Sequence, residues 1–344
     1  ITGINVAYGT IINGDGTTTK KGTVKVDHGY GIAGTDGSKL TNAKTSEITV
    51  TGKYQSASTQ NPNRSDHDET LATGQNYGMV GISTNNVKDN QHYIDTYRKT
   101  NYKPENARYG VNAIELANNN GKITVDGTLA VGMFAKNAKY DKSLGDKDTD
   151  ASALQGDVKI SYDNTQGSSA DLIKVNENNT NKTHRGIGIA LVDKGNESDT
   201  SRRGGEITLN TQNSGIGSTA DIVTSYNGIG VYGESADITF GGNATTKGLT
   251  VDTKDNGAAI WVTDDSNIGT NSNHLNKDTI NFNYKGYNNA NGYALVFGST
   301  SNDALKNYNT IAKNFLDVKF NNNDTAATPT PVNLAYERRN AGTT

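Results

Sequence analysis

The chain has 344 residues, of which 32% are hydrophobic, with a formal net charge of −3 and no cysteine. The balanced charge and the lack of cysteine exclude a basic nucleic-acid-binding face and a disulfide framework. A compact core of this length would need more apolar residues, whereas a repeat protein buries each unit only against its neighbours.

A six-residue phrase, such as Gly228-Ile229-Gly230-Val231-Tyr232-Gly233, recurs along the chain with a small third residue. In chain order its copies begin at Gly3, Gly29, Asn76, Arg108, Thr128, Gly186, Gly228, Gly257 and Gly292. The fourth position predicts an inward-facing row of Val6, Ile32, Met79, Val111, Val131, Ile189, Val231, Ile260 and Leu295. The small third residue predicts an outward position or a close approach of another backbone segment.

A second phrase with period-two alternation falls between copies of the first. It occurs at 24–26, 48–50, 123–125, 158–160, 206–209, 237–240, 248–251, 280–282 and 318–320. In two places it leads into the first phrase through Asp27-His28-Gly29 and Asp126-Gly127. A glycine in these turns supplies the positive φ that a sharp corner needs.

Two strand phrases that recur in order predict a solenoid. The spacing between copies varies from about twenty to nearly sixty residues, which is typical of corners that accept loops of any length. We therefore predict an all-β fold, a right-handed parallel β-helix with loop insertions at its corners. About nine coils at ~4.8 Å each would form a rod on the order of 40 Å long.

The predicted β-helix spans 1–324, and a linker or truncated end follows at 325–344, where Pro329 and Pro331 stand. One short amphipathic helix is predicted at 302–315, where apolar residues follow helical spacing. Insertions are predicted near 53–75, 85–107, 138–156, 164–185 and 194–204.

Two aromatic groups are the candidate binding residues. The insertion at 85–107 departs in composition from its neighbours and carries Tyr93, Tyr97, Arg98 and Tyr102. Tyr232 and Trp261 share the fifth position of successive phrases, so directly stacked coils would place both rings on one outer face. Tyrosine, tryptophan and arginine are the residues that dominate binding hot spots. The alternative is structural: either group could pack against the rod or beneath an insertion.

Catalytic and metal-binding patterns are weak. We find no zinc-binding His-Glu-x-x-His pair and no nucleophile elbow, and the five histidines share no spacing. Asp264-Asp265 could supply a glycosidase acid and base or could form a solvated turn. Asp146, Asp148, Asp150, Ser152 and Asp157 follow EF-hand spacing, but Ala151 replaces the required glycine. We expect no catalytic residue, no metal and no cofactor.

Phrases such as Asn227–Gly233 and Gly121–Asp126, with the Asn/Thr/Gly bias and absent cysteine, resemble the passenger domains of bacterial type V (type Va) autotransporter adhesins. The likeness is to the large fusobacterial adhesins and covers roughly residues 1–320. It implies a rod on the bacterial cell surface, attached to the outer membrane through a barrel absent from this chain. It also implies a monomer that binds a protein or glycan receptor on host cells or partner bacteria, without catalysis.

Two other functions stay open at this point. A β-helical enzyme would degrade polysaccharide, and a structural spacer would lift a distal tip away from the membrane. The sequence begins at Ile1 and contains no apolar run of membrane-spanning length, so we expect a mature or excised segment.

Overall fold

The computed structural model describes residues 2–7, 9–17, 19–35, 37–52, 75–83, 114–137, 158–165, 171–177, 184–193, 205–211, 220–234, 236–240, 248–254, 257–263, 266–268, 278–284, 293–299, 316–322 and 333–338. The regular structure in these ranges consists of strands, numbered β1 to β24 in chain order, and includes no helix. None of the described segments is therefore a helix that could span a membrane. The helix predicted at 302–315 lies outside the described residues.

The strands form three parallel sheets, which we name A, B and C. Sheet A contains, in order, β1 (Thr2–Ala7), β4 (Tyr30–Thr35), β7 (Gln75–Ser83), β10 (Leu129–Asn137), β13 (Arg185–Asp193), β16 (Ile229–Glu234), β19 (Ala258–Thr263), β22 (Tyr293–Ser299) and β24 (Asn333–Arg338). Sheet B contains β2 (Thr10–Asn13), β5 (Ser38–Asn42), β8 (Ile114–Asn119), β11 (Val158–Asn164), β14 (Glu206–Thr211), β17 (Asp237–Phe240) and β20 (Asn267–Ile268). Sheet C contains β3 (Thr23–Val26), β6 (Glu47–Val50), β9 (Lys122–Val125), β12 (Ile173–Val175), β15 (Ile222–Tyr226), β18 (Gly248–Lys254), β21 (Asp278–Tyr284) and β23 (Leu316–Asn322).

Successive strands visit sheets A, B and C in rotation, and every strand pairs with the strand one coil away. From β1 to β21 each coil therefore contributes one strand to each sheet, whereas β22 of sheet A is followed by β23 of sheet C with no described strand in sheet B between them. The coils stack in parallel register. This arrangement confirms the parallel β-helix predicted from the sequence.

The core is a set of aligned apolar rows, one or more from each sheet. The predicted alignment of Ile189, Val231, Ile260 and Leu295 is confirmed, because consecutive members are register partners and none is more than 1% exposed. The same row continues toward the N-terminus through Met133, Met79 and Ile32. Sheet B contributes a parallel row of Leu40, Leu116, Ile160, Ile207, Ile238 and Ile268.

A row of glycines lies beside this sheet A row and faces inward. It consists of Gly3, Gly31, Gly78, Gly132, Gly188 and Gly230. A Cβ atom on Gly78, for example, would lie 2.4 Å from Cγ2 of Ile123 on sheet C. The small third position of the phrase is therefore explained by close approach between sheets, and its predicted alternative, an outward position, is wrong.

In the sheet A strands an inward glycine is followed directly by an inward apolar residue, which interrupts the strict alternation of inward and outward side chains. In β10, Gly132 and Met133 are both buried on the inner side, and the preceding Val131 lies outside the core cluster. The prediction that Val131 belongs to the inward row is therefore wrong, and Met133 takes that place. Likewise Ile4, not Val6, is the register partner of Ile32.

Further differences concern the second phrase and the bounds of the predicted segments. The second phrase divides between sheet B, with 158–160, 206–209 and 237–240, and sheet C, with its other copies. In sheet A, β7 pairs directly with β10. The predicted copy beginning at Arg108 lies outside the described residues. The predicted insertion at 164–185 contains β12, and the segment predicted as a linker, 325–344, contains β24 paired with β22.

Polar side chains hold the corner where sheet B turns toward sheet C. Asn13, Asn42 and Asn118 stack in successive coils, with amide-to-amide hydrogen bonds of 2.8 and 2.9 Å. The next coil places Tyr162 in the same row. Its hydroxyl donates to the backbone oxygen of the buried Asp221 at 3.1 Å, and burial raises the pKa of Tyr162 well above its usual value. The asparagine ladder satisfies buried polar groups that the turn would otherwise leave unpaired.

Candidate functional site: the outer face of sheet A

The outer faces of sheets B and C carry polar side chains. On sheet B, one outward column consists of Lys39, Glu115, Lys159, Glu206 and Asp237. Lys39 and Glu115 form an ion pair at 2.7 Å, with both side chains about half exposed. On sheet C, the corresponding column contains Lys25, Thr49, Thr124 and Lys174. These two faces are typical of solvated surfaces.

The outer face of sheet A carries two central columns that are mainly apolar, which we call the aromatic face. A third outward column beside them contains Ile82, Lys136, Val192 and Glu234. The first column consists of Tyr30, Tyr77, Val131, Ile187, Ile229, Ala258 and Tyr293. The second consists of Ala33, Val80, Phe134, Ala190, Tyr232, Trp261 and Val296. Between β4 and β22 neither column contains a charged or amide side chain, whereas in β1 the second column continues to Asn5.

The outward orientation follows from the neighbours of each residue. Phe134 stands between Met133 and Ala135, which are both fully buried, and Trp261 stands between the buried Ile260 and Val262. The smaller members of the face are nearly inaccessible although they lie outside the core cluster: Val80, Val131, Ala190 and Val296 are 2–4% exposed. The face is therefore closely packed on its own outer side.

Three rings make direct contacts at the N-terminal half of the face. The ring centroids of Tyr30 and Tyr77 are 5.5 Å apart, and those of Tyr77 and Phe134 are 5.3 Å apart. Both pairs are tilted, a favourable arrangement for aromatic rings. Burial, and to a lesser degree the neighbouring Tyr30, raises the pKa of the Tyr77 hydroxyl. That hydroxyl donates to Oε1 of Gln75 at 3.0 Å, so the phenol stays neutral and acts as a hydrogen-bond donor.

Tyr232 and Trp261 lie farther along the face and are register partners in adjacent strands. The juxtaposition predicted from their shared phrase position is confirmed, while their binding role stays a prediction. The Tyr232 hydroxyl donates to Oε2 of Glu234 at 3.3 Å. The indole Nε1–H of Trp261 is covered and has no hydrogen-bond partner, which is unusual because a buried indole normally finds an acceptor.

Sequence reasoning missed most of this face. Tyr30, Tyr77 and Tyr293 occupy the second position of the first phrase, and Phe134 falls at the fifth position once its copy is shifted by two residues. The recurring second-position tyrosine was the signal available in the sequence. It is obscured because other copies carry an aliphatic residue at that position, such as Leu129, Ile187 and Ala258.

The other predicted site residues lie outside the described residues. These are Tyr93, Tyr97, Arg98 and Tyr102 of the insertion at 85–107, the pair Asp264-Asp265, and the possible calcium ligands between Asp146 and Asp157. Within the part of the chain that the structure describes, no group of three His, Asp or Glu residues could hold a metal ion.

Comparisons with known proteins do not extend these observations. The chain matches no protein-family model, no curated protein and no solved structure. The fold and the outer face of sheet A are therefore the observations from which a function can be argued.

Proposed function

We propose that this chain is a surface-displayed adhesin segment, which binds a receptor on host cells or partner bacteria through the aromatic face of sheet A and catalyses no reaction. The observation that supports the proposal is the contrast between the three outer faces. Sheets B and C expose lysine, threonine and carboxylate side chains, whereas the two central columns of sheet A point aromatic and aliphatic side chains outward, with the half-buried rings of Phe134, Tyr232 and Trp261 as part of their accessible surface. Contiguous apolar patches on a soluble protein surface mark interaction sites.

The composition of the face, rather than its area, favours a protein partner. Seven strands at ~4.8 Å spacing and about four residues of ~3.3 Å each give a footprint on the order of 400 Å², about half the share that one partner contributes to a standard interface. The tyrosine hydroxyls and the covered indole N–H are the only side-chain hydrogen-bonding groups in the two columns. A sugar has many hydroxyl groups that need polar partners, so we assign the receptor to the protein class rather than to glycans.

The proposed setting follows the resemblance to type V passengers. The segment would stand outside the cell as a monomeric rod, attached to the outer membrane through a barrel that is not part of this chain. A rigid rod suits this role because its coils are fixed by stacking and present side chains at fixed spacing.

The test compares two double substitutions at matched positions. Tyr232→Lys with Trp261→Lys places two charges on adjacent coils of the aromatic face. Thr208→Lys with Thr239→Lys does the same on sheet B, where these residues are also register partners. Binding of the purified chain to a panel of epithelial cells and bacteria is measured by flow cytometry, and thermal melts verify folding.

We expect the sheet A variant to lose binding at least about tenfold, because hot-spot aromatics dominate interfaces. The sheet B variant should bind like the unmodified chain. Protease treatment of the target cells should abolish binding, and glycosidase treatment should not. Unchanged binding by a folded sheet A variant would contradict the proposal. A chain that binds no cell of the panel would favour the spacer function.

Deletion of the insertion at 85–107 is an independent test of where the receptor binds. Replacing 86–106 by a Gly-Ser bridge removes Tyr93, Tyr97, Arg98 and Tyr102 while keeping every described strand. If this deletion abolishes binding and the sheet A variant does not, the contact lies on the insertion rather than on the aromatic face.

A further inference from the structure

The first coil, formed by β1, β2 and β3, is the edge of all three sheets. Among the described residues, these strands have partners on one side only. The exposure of the first coil reflects this position. Ile4 is 39% exposed, whereas Ile32, its register partner in the second coil, is fully buried. The apolar row of sheet A is therefore uncovered at this end.

The asparagine ladder at the corner between sheets B and C has a direction. Nδ2 of Asn13 donates to Oδ1 of Asn42 in the next coil, and Nδ2 of Asn42 donates to Oδ1 of Asn118. Each amide also donates to a backbone carbonyl, which fixes its orientation: Asn13 to Glu47, and Asn42 to Lys122. Donors therefore point toward the later coil and acceptors toward the earlier one.

This direction leaves an acceptor at the open end. Asn13 is the register partner of Asn42, whose Oδ1 accepts an amide proton from the preceding coil, and Oδ1 of Asn13 lies over Gly22. The backbone carbonyl oxygens of Glu47 and Lys122 each accept a hydrogen bond from the asparagine of the preceding coil. Thr23 is the residue of the first coil that aligns with Glu47 and Lys122. An incoming asparagine would find the same two acceptors, Oδ1 of Asn13 and the carbonyl oxygen of Thr23.

We propose that the N-terminal end of the rod is an acceptor interface for one more β-coil, stacked in parallel register, which carries asparagine at this corner. Its strand on sheet A would cover Ile4, and its corner amide would donate to Asn13 and Thr23. The proposal is independent of the aromatic face, because it concerns the strand edges and not an outer face.

The described part of this row toward the far end does not offer the same chemistry. Beyond Asn118 it contains Tyr162, Leu209 and Phe240, all of them buried. A second copy of the chain stacked head-to-tail would therefore bring no amide donor to Asn13 from the described part of this row. The occupant that fits is a coil of the type seen in β4 to β6, with Asn42 at its corner.

An added coil tests the interface directly. A copy of residues 30–52 is fused in front of residue 1, so that the copied Thr51 and Gly52 together with Ile1 separate the copied Val50 from β1. Three residues, Asp27 to Gly29, separate β3 from β4 in the same way. The matched control carries Asn42→Ala in the added copy only, and a second control carries a scrambled extension of the same length.

We expect the added coil to raise Tm by about 3 °C or more, as stacking of one further unit should. Amide hydrogen exchange in β1 to β3 should slow at least about tenfold, because the edge strands gain partners. The Asn42→Ala copy should lose a clear part of both effects, and the scrambled extension should show neither.

Several results would overturn the proposal. An added coil that stays sensitive to protease and leaves Tm and exchange unchanged would show that the end accepts no coil. Equal effects from the native and the Asn42→Ala copies would show that the amide donor is not what the end recognises. Either result leaves the proposed binding through sheet A untouched, since that test uses a different surface.

Discussion

The inward glycine row sets the distance between sheets A and C, and Gly188→Ala tests this directly. A Cβ on Gly188 would lie 2.4 Å from Cγ2 of Ile222 and 2.6 Å from the backbone oxygen of Gly230. Both distances are shorter than any relaxed carbon contact, and the second neighbour is backbone that cannot rotate away. The added methyl group must therefore push two coils or two sheets apart.

The magnitude follows from two opposing effects. Alanine in place of glycine normally stabilises a strand by about 0.5–1 kcal/mol, because the unfolded chain is less free. Overpacking a well-filled core costs about 1–3 kcal/mol or more. Because the contacts at Gly188 are so short, overpacking should dominate. We expect a net loss of about 1–3 kcal/mol in the free energy of unfolding, and a Tm lower by about 2–4 °C for each kcal/mol.

A double-mutant cycle with Ile222→Ala separates this clash from other effects. Ile222→Ala removes the Cγ2 atom that the new methyl group would meet, and alone it should cost about 2–5 kcal/mol because Ile222 is fully buried. The loss in the free energy of unfolding of the double variant should be smaller than the sum of the two single losses, by about 1 kcal/mol or more. Urea unfolding followed by circular dichroism measures all three variants. A Gly188→Ala variant as stable as the unmodified chain would refute the reasoning.

Four further predictions concern the core, a corner, a turn and metal dependence. Ile260→Asp should unfold neighbouring coils, since an unpaired buried carboxylate costs several kcal/mol; a variant that melts normally would contradict the apolar row. Asn42→Ala should cost about 2–3 kcal/mol in urea unfolding, because it leaves buried amide groups of the ladder unpaired, whereas Thr41→Ala on the outer face should cost less than about 0.5 kcal/mol. Burial raises the pKa of Asp126 above its unfolded value of 3.8, so its charge opposes folding at neutral pH and this penalty fades as pH falls through the raised pKa. Asp126→Asn should therefore raise the Tm at pH 7. It should also remove the part of the rise in Tm on mild acidification that comes from Asp126, and an unchanged pH profile of Tm would disprove this. Chelator should leave Tm unchanged; a fall of many degrees would assign a structural calcium ion to residues 146–157.

The fold could be predicted from the sequence because the first phrase repeats a pattern that stacking requires. Its fourth position must be apolar in every coil, and Ile189, Val231 and Ile260 meet that requirement at readable positions. The division of the second phrase between sheets B and C could not be predicted. Strands such as β9 and β14 have the same alternation, and alternation does not encode which corner precedes a strand.

The register of individual copies could not be predicted from the sequence either. A slip of two residues keeps side chains on the same face of a regular strand, so alternation does not distinguish Val6 from Ile4 as the partner of Ile32. At Val131 the glycine that follows interrupts the alternation, which places an apolar residue outside the core. The strand β24 lacks a glycine altogether, and its Leu334-Ala335-Tyr336 run resembles no other copy closely.

The low hydrophobic content makes the aromatic face more informative. Glycines such as Gly78 and Gly132 let sheet A approach the β-branched row of sheet C, so the core is narrow and needs few apolar residues per coil. With 32% hydrophobic residues in the whole chain, an outer face that is apolar in both columns is not explained by the requirements of the core. Sheets B and C fold with lysine, threonine and glutamate at the equivalent outward positions, so the solenoid does not require apolar residues there. We therefore propose that the outward Phe134, Tyr232 and Trp261 serve a contact made by that face, and this is the reason to test sheet A before any other surface.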